Sequence, residues 1–127
     1  MEGPSKPFNT DNALELQRLG LALDSAGIGT WQLDLHTKQV RWCRRSKALF
    51  HFSGDDFIEL KHLLDLIHPR DSSGFMDKIY MALPFSLELR TTTDQMGQYR
   101  WLHCKGQSHL DPGTSSLCSF GTFSDIT

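Results

Sequence analysis

The chain has 127 residues, a formal charge of −2, 39% hydrophobic and 22% charged residues, the balance of one globular domain with a single core. Its one basic cluster, Arg44-Arg45 with Lys47, reads as a solvated helix start and leaves no nucleic-acid footprint; no apolar run approaches the roughly 20 residues of a membrane span, and the N-terminus lacks a signal-peptide stretch. Three cysteines, Cys43, Cys104 and Cys118, are odd in number and lack metal or redox spacing, which fits a reduced, cytoplasmic setting.

Residues 1–11 read as a flexible lead-in, and residues 12–127 as one domain. A helix is predicted from Asn12, with Glu15 three positions on as a capping-box partner. Leu16, Leu19 and Leu23 form one stripe on it, and Leu14 and Leu21 widen the apolar surface beyond what one contact requires. Ala26-Gly27-Ile28-Gly29 stops this helix. Trp31, Leu33 and Leu35 then alternate with polar residues, His36-Thr37-Lys38 turns the chain, and Gln39 to Cys43 returns with Val40 and Trp42 on one face. Short helical pieces follow. One covers Ser46 to Phe52, and Ser53 with Asp56 caps a turn leading to Phe57. Leu60, Leu63, Leu64 and Ile67 have helical spacing up to Pro69, and a longer helix opening at Asp71 or Ser72 carries Phe75, Met76, Ile79, Tyr80 and Leu83.

From Phe85 onward the period becomes two. Phe85, Leu87 and Leu89 alternate with Ser86, Glu88 and Arg90, and Thr91-Thr92-Thr93 extends the strand. Asp94 to Gly97 makes a turn. Tyr99 to Cys104 forms the next strand, with Leu102 and Cys104 facing one way and Tyr99 and Trp101 the other. Asp111-Pro112-Gly113 is a turn in which proline presets φ and glycine accepts positive φ; Leu117 to Ile126 is the last strand. The fold class expected is α+β: a single five-stranded antiparallel sheet with short helices on one face and the N-terminal helix or a partner on the other.

These residues, in this order, resemble a PAS domain, the PAS fold variant with a PAC-type C-terminal half. The resemblance covers roughly residues 20–127. It rests on Ala26-Gly27-Ile28-Gly29-Thr30-Trp31 with Asp34, Val40-Arg41-Trp42, Leu49-Phe50, Ile67-His68-Pro69 with Asp71, Glu88-Leu89-Arg90, Gly97 with Arg100-Trp101-Leu102, and Gly121 through Asp125-Ile126-Thr127. Two positions depart from the pattern: Lys38 and His51 stand where the family commonly has glycine, so the local turns are expected to differ. The resemblance implies a sensory signalling module, not an enzyme, placed before an output domain such as the histidine kinase of a two-component system or a diguanylate cyclase. That effector would lie outside this chain, which stops at the exit Asp125-Ile126-Thr127 like an excised fragment. It also implies homodimerisation through the leading helix and the outer sheet face.

In such a domain the ligand space lies between helices and sheet. Here it would be lined by Trp42, Phe50, Phe57, Phe75, Ile79, Leu87, Leu89, Leu102, Cys104 and Phe120, with facing uncertain by one residue per strand. Either a planar apolar small molecule occupies this space or the side chains fill it themselves. No cofactor is identified. Flavin photochemistry is disfavoured because Trp42 stands before Cys43-Arg44 where asparagine belongs. Haem is disfavoured because His51, His62 and His68 are better explained as polar or capping residues. No metal site is expected, since His103 and Cys104 on one strand point to opposite faces. Asp24 and Asp55-Asp56 lack catalytic partners, leaving a small carbonyl isomerase as the remote enzyme alternative. Leu16, Leu19, Leu23, Tyr99 and Trp101 are the candidates for a dimer contact or for intramolecular docking of the leading helix. A ligand-free PAS interaction module is the closest rival to a ligand sensor.

Overall fold

Asp34 closes the first hairpin. Its Oδ1 accepts the N–H of His36 at 2.8 Å and its carbonyl that of Lys38 at 2.7 Å, between β1 (Ile28–Asp34) and β2 (Gln39–Trp42). This is a computed structural model; it describes residues 17–81, 83–93, 95–110, 113 and 116–127. The expected lead-in, the helix start at Asn12, Leu16, and Asp94, Asp111 and Pro112 of the expected turns lie outside these residues.

The described part of the first helix, α1, covers 17–25. After β2 come α2 (Arg44–Leu49), β3 (Phe57–Glu59), α3 (Leu60–Leu66) and α4 (Pro69–Met81), and then β4 (Phe85–Arg90), β5 (Trp101–Leu110) and β6 (Leu117–Asp125). All strands join one antiparallel sheet in the order β3-β2-β1-β6-β5-β4. The sheet therefore has six strands where five are expected from the sequence. The extra one is β3, which pairs Val40 with Ile58 along the free edge of β2. Three residues are too few to show a period of two, and the Ser53–Asp56 spacing reads as the cap of a turn leading to Phe57. Further boundaries differ: α2 is Arg44–Leu49 where Ser46 to Phe52 is expected, and α4 runs Pro69–Met81, opening before Asp71 and ending before Leu83. Thr91 forms only an isolated bridge to Ile67, and Tyr99 precedes β5, which runs on to Leu110.

Register decides what faces the helices. Pairings Trp42–Trp31, Trp31–Gly121, Gly121–Gly106 and Gly106–Phe85 align five residues in one cross-strand row on the inner face. Leu33 and Val40 flank that row on one side and Leu102, Cys104, Leu89 and Phe123 on the other; all six are fully buried. Phe75 and Ile79 of α4 and Leu63 of α3 close over them, also fully buried. Burying each such side chain stabilises by about 1.5–3 kcal/mol, which makes this inner face the main source of cohesion.

Polar contacts fix the helices on this layer. Ser108 donates to the Ile79 carbonyl at 2.8 Å and shares a 2.5 Å hydroxyl contact with Ser119, so β5 and β6 supply a partner to a carbonyl in the last turn of α4. At the other end of α4, Asp71 accepts from Arg90 N–H at 2.8 Å, Nε at 2.9 Å and NH2 at 3.0 Å. α2 ends as a Schellman motif. Phe52 N–H donates to Lys47 O at 2.8 Å and His51 N–H to Ala48 O at 3.1 Å, with His51 at φ 55°. Lys38 likewise sits at φ 59°. The glycine-type backbone is thus kept at both positions although the residue is not glycine, contrary to the expected change of turn geometry.

Candidate functional site

The interior is a chain of rings. Trp31 meets Phe75 edge-on at 5.7 Å and Phe123 at 5.8 Å; Phe123 meets Phe50 at 5.0 Å, and Phe50 meets Trp42 at 5.6 Å. These separations are those of packed aromatic pairs. Trp31 lies flat against two glycines. A Cβ at Gly121 would come within 2.7 Å of Trp31 Cζ2, and one at Gly106 within 2.8 Å. The indole, together with the β5 backbone at Gly121 and the Phe85 ring at Gly106, takes the volume that side chains there would need.

Of the ten expected lining residues, Trp42, Phe50, Phe75, Ile79, Leu89, Leu102 and Cys104 come together in this core, with Leu87 half-buried beside it. Phe57 and Phe120 do not. They are 58% and 44% exposed on the outer face, each one residue out of phase with the inward positions Ile58, Gly121 and Ser119. Trp31 and Phe123 fill the places that sequence reasoning gave to those two. The parity of Gly121, which must face inward under Trp31, is the signal that assigns Phe123 inward and Phe120 outward.

Two groups in the core bear on chemistry. Burial pushes the Cys104 thiol well above its ordinary range, with only a weak opposing effect from the Trp31 indole, so it is an inert apolar group. The Trp31 Nε1–H is buried and lacks a hydrogen-bond partner of good geometry. Cys43 differs. Burial raises its thiol, but hydrogen bonds involving Thr30 and Ser46 outweigh that and leave it lowered; Thr30 N–H donates to Sγ at 3.2 Å. Cys43 is the N-cap of α2, not part of a strand. Among the described residues no three His, Cys, Asp or Glu side chains converge as a metal site, and no helix is long and apolar enough to cross a membrane. His103 pairs with Ser124 and Cys104 with Phe123, on opposite faces. His51 caps α2, His62 packs edge-on to Phe52 at 5.1 Å, and His68 Nδ1 accepts the Arg70 N–H at 3.1 Å.

The outer face has two regions. Leu19, 53% exposed, and Leu23, half-buried, edge a groove of about 1250 Å³ whose floor includes Thr30, Gln32, Phe120 and Thr122. Asp24 holds α1 beside it. Its carboxylate takes Arg44 NH2 and Arg45 Nε, each at 3.2 Å, so part of the basic cluster is engaged and not simply solvated. Tyr99 and Trp101 do not line this groove. They stand at the other end, where the Arg90 guanidinium lies 6.0 Å and 5.0 Å from their ring centres. The expected joint contact of α1 with Tyr99 and Trp101 is therefore divided within this chain.

The C-terminal residues Ile126 and Thr127 are tied to Trp101. Its N–H donates to Thr127 Oγ1 and its carbonyl accepts the Ile126 N–H, both at 2.9 Å, while Thr127 N–H donates to Asp125 Oδ1 at 2.8 Å. That backbone donor holds the Asp125 carboxyl below its ordinary range. The neighbouring Arg100 reaches the other way, its NH1 3.3 Å from Ala48 O and 3.5 Å from Leu49 O at the end of α2. Sequence reasoning missed this link, because no local pattern relates residues fifty positions apart.

No family model and no curated protein matches the chain. Solved structures do. A sensory box histidine kinase/response regulator from Burkholderia thailandensis superposes with a TM-score of 0.68 at 22% identity, covering 87% of this chain and 85% of that one. A PAS domain from Colwellia psychrerythraea gives 0.65 at 18%, covering 88% and 97%. The N-terminal domain of a diguanylate cyclase with PAS/PAC sensor from Marinobacter aquaeolei gives 0.64 at 15%, covering 78% and 94%.

Proposed function

The chain has the PAS fold, and from that premise we propose that it is a non-catalytic signalling module which relays conformational change to an effector following its last strand. The observation that carries this reading is the continuous connection from α2 through Arg100 and Trp101 to Asp125–Thr127. A shift of α2 against the sheet moves the Arg100 guanidinium, the start of β5 and the exit together. The effector class follows the structural neighbours, a histidine kinase or a diguanylate cyclase, and the relay unit is the domain over 12–127. Three cysteines, odd in number and without metal or redox spacing, fit a cytoplasmic location. Leu21 of α1 and Tyr99, at the end of the outer face away from the groove, are exposed and supply surface for a homodimer.

Ring packing favours a relay that needs no internal ligand, because Trp31, Phe75 and Phe123 occupy the space where one would bind. A single feature favours the ligand-sensing form: the buried Trp31 N–H has only a weak contact with the Cys104 thiol, and a stronger acceptor on a bound molecule would satisfy it. Fusing residues 1–127 to the catalytic domain of a diguanylate cyclase tests the relay. Arg100→Gln and Thr127→Val should alter cyclase output several-fold while circular dichroism stays native. Output unchanged in both, with the fold intact, would refute the proposal.

A further inference from the structure

The floor of the outer groove is patterned in a way that neither the core nor the exit uses. Register places Thr30, Thr122 and Lys105 in one cross-strand row on the outer face, and Arg41, Gln32 and Phe120 in the next. All six line the groove, whose upper edge is Leu19 and Leu23. Two of them are cations, and among the described residues neither has a carboxylate within ion-pair distance; the four ion pairs present use Arg44, Arg45, Lys47 and Arg90. Arg41 lies over the Phe57 ring at 5.5 Å. The groove thus offers an ammonium beside two hydroxyls in one row, and an exposed ring facing aliphatic side chains in the next.

We propose that this groove binds an elongated amphipathic organic anion. Its carboxylate-type head would sit at Lys105, Thr122 and Thr30, and its apolar body would run over Phe120 beneath Leu19 and Leu23. Charge complementarity selects the head, since among the described residues Lys105 has no carboxylate partner and Asp56, which also lines the groove, is paired with Lys47. The volume, about 1250 Å³, exceeds the roughly 300–1,000 Å³ of most small-molecule sites, so the ligand would fill only part of the groove. A second copy of the chain is a poorer occupant, because the centre of a protein interface is depleted in charged groups and here the floor's middle is polar. The inference is independent of the relay through Arg100.

The test uses the whole chain at a concentration where light scattering reports monomer. Fluorescence titration with 8-anilinonaphthalene-1-sulfonate should show one saturable site, from which dodecanoate displaces the probe and dodecyltrimethylammonium, with the same body and opposite charge, does not. Lys105→Gln should weaken dodecanoate about tenfold, and Thr122→Trp should abolish its binding, with native circular dichroism in both. Amide NMR shifts should concentrate at Thr30, Gln32 and Thr122 and spare Leu63 and Phe75. The proposal is overturned by dodecanoate affinity unchanged in both variants, by shifts on the inner face instead, or by no binding at all. It is equally overturned if Lys105→Gln affects only a concentration-dependent dimer, which would assign the groove to a second copy.

Discussion

Replacing Gly121 by alanine adds one methyl group where the fold has no room for it. The new Cβ would overlap the Lys105 carbonyl oxygen and lie 2.7 Å from both Gly106 Cα and Trp31 Cζ2. Two of those three neighbours are backbone of the adjacent strand, which no rotamer change can move. Relief requires β5 and β6 to part or Trp31 to leave its bed, so the cost falls at the top of the range for overpacking, about 3 kcal/mol. For a domain of this size that lowers the melting temperature by roughly 10–15 °C. Gly106→Ala is milder. Two of its neighbours are ring edges, Trp31 Cζ2 at 2.8 Å and Phe85 Cζ at 2.9 Å, that can tilt, and about 1–2 kcal/mol is expected. Gly74, in α4 with nothing within 4 Å of its added Cβ, should gain about 0.5–1 kcal/mol as alanine through helix propensity. Urea and thermal unfolding followed by circular dichroism and tryptophan fluorescence measure all three. A Gly121→Ala protein within about 1 kcal/mol of the parent, with unchanged m-value, would mean that β5 and Trp31 do not close on this position and would refute the reasoning.

Other expectations follow from single contacts. Lys38→Gly and His51→Gly should each stabilise by about 0.5 kcal/mol, because relief of a left-handed backbone slightly exceeds the added entropy of the unfolded chain; destabilisation of both in urea melts would contradict the positive φ values of 59° and 55°. In native protein Cys43 should react with a thiol-specific disulfide reagent much faster than Cys104, whose thiol is buried and raised; peptide mapping of the modified protein reads the order, and Cys104 reacting first would be the contrary result. Asp71 is held below its ordinary range by the Arg90 side chain above all. Its contribution is therefore full above about pH 4 and is lost as pH falls further. Asp71→Asn should be less stable than the parent at pH 7, with the gap narrowing below pH 4; a gap independent of pH would contradict the ion pair.

Much of the fold could be read from local pattern. The alternation of Phe85, Leu87 and Leu89 and that of Trp31 and Leu33 mark strands, with Leu87 and Leu89 on the expected inner face, and Pro69 marks the break between α3 and α4. β3 escaped because its pairing belongs to the edge of β2, not to its own three residues. The face of β6 was ambiguous because aromatic residues sit on both parities, Phe120 outward and Phe123 inward. Only the position of Trp31 over Gly106 and Gly121 settles the choice, and that depends on register across three strands. The Arg100 link to α2 and the Ser108–Ser119 tether are likewise long-range and leave no periodic trace.

Trp31, Phe75 and Phe123 of this chain close the space between sheet and helices, and the proposed relay through packing rests on that closure. A crystal structure of the purified domain at about 2 Å tests it most directly. The account predicts continuous density for Trp31, Phe75 and Phe123 in mutual contact, with the indole resting on Gly106 and Gly121. A Trp31 ring swung away from the two glycines, with a small molecule in its place, would contradict it.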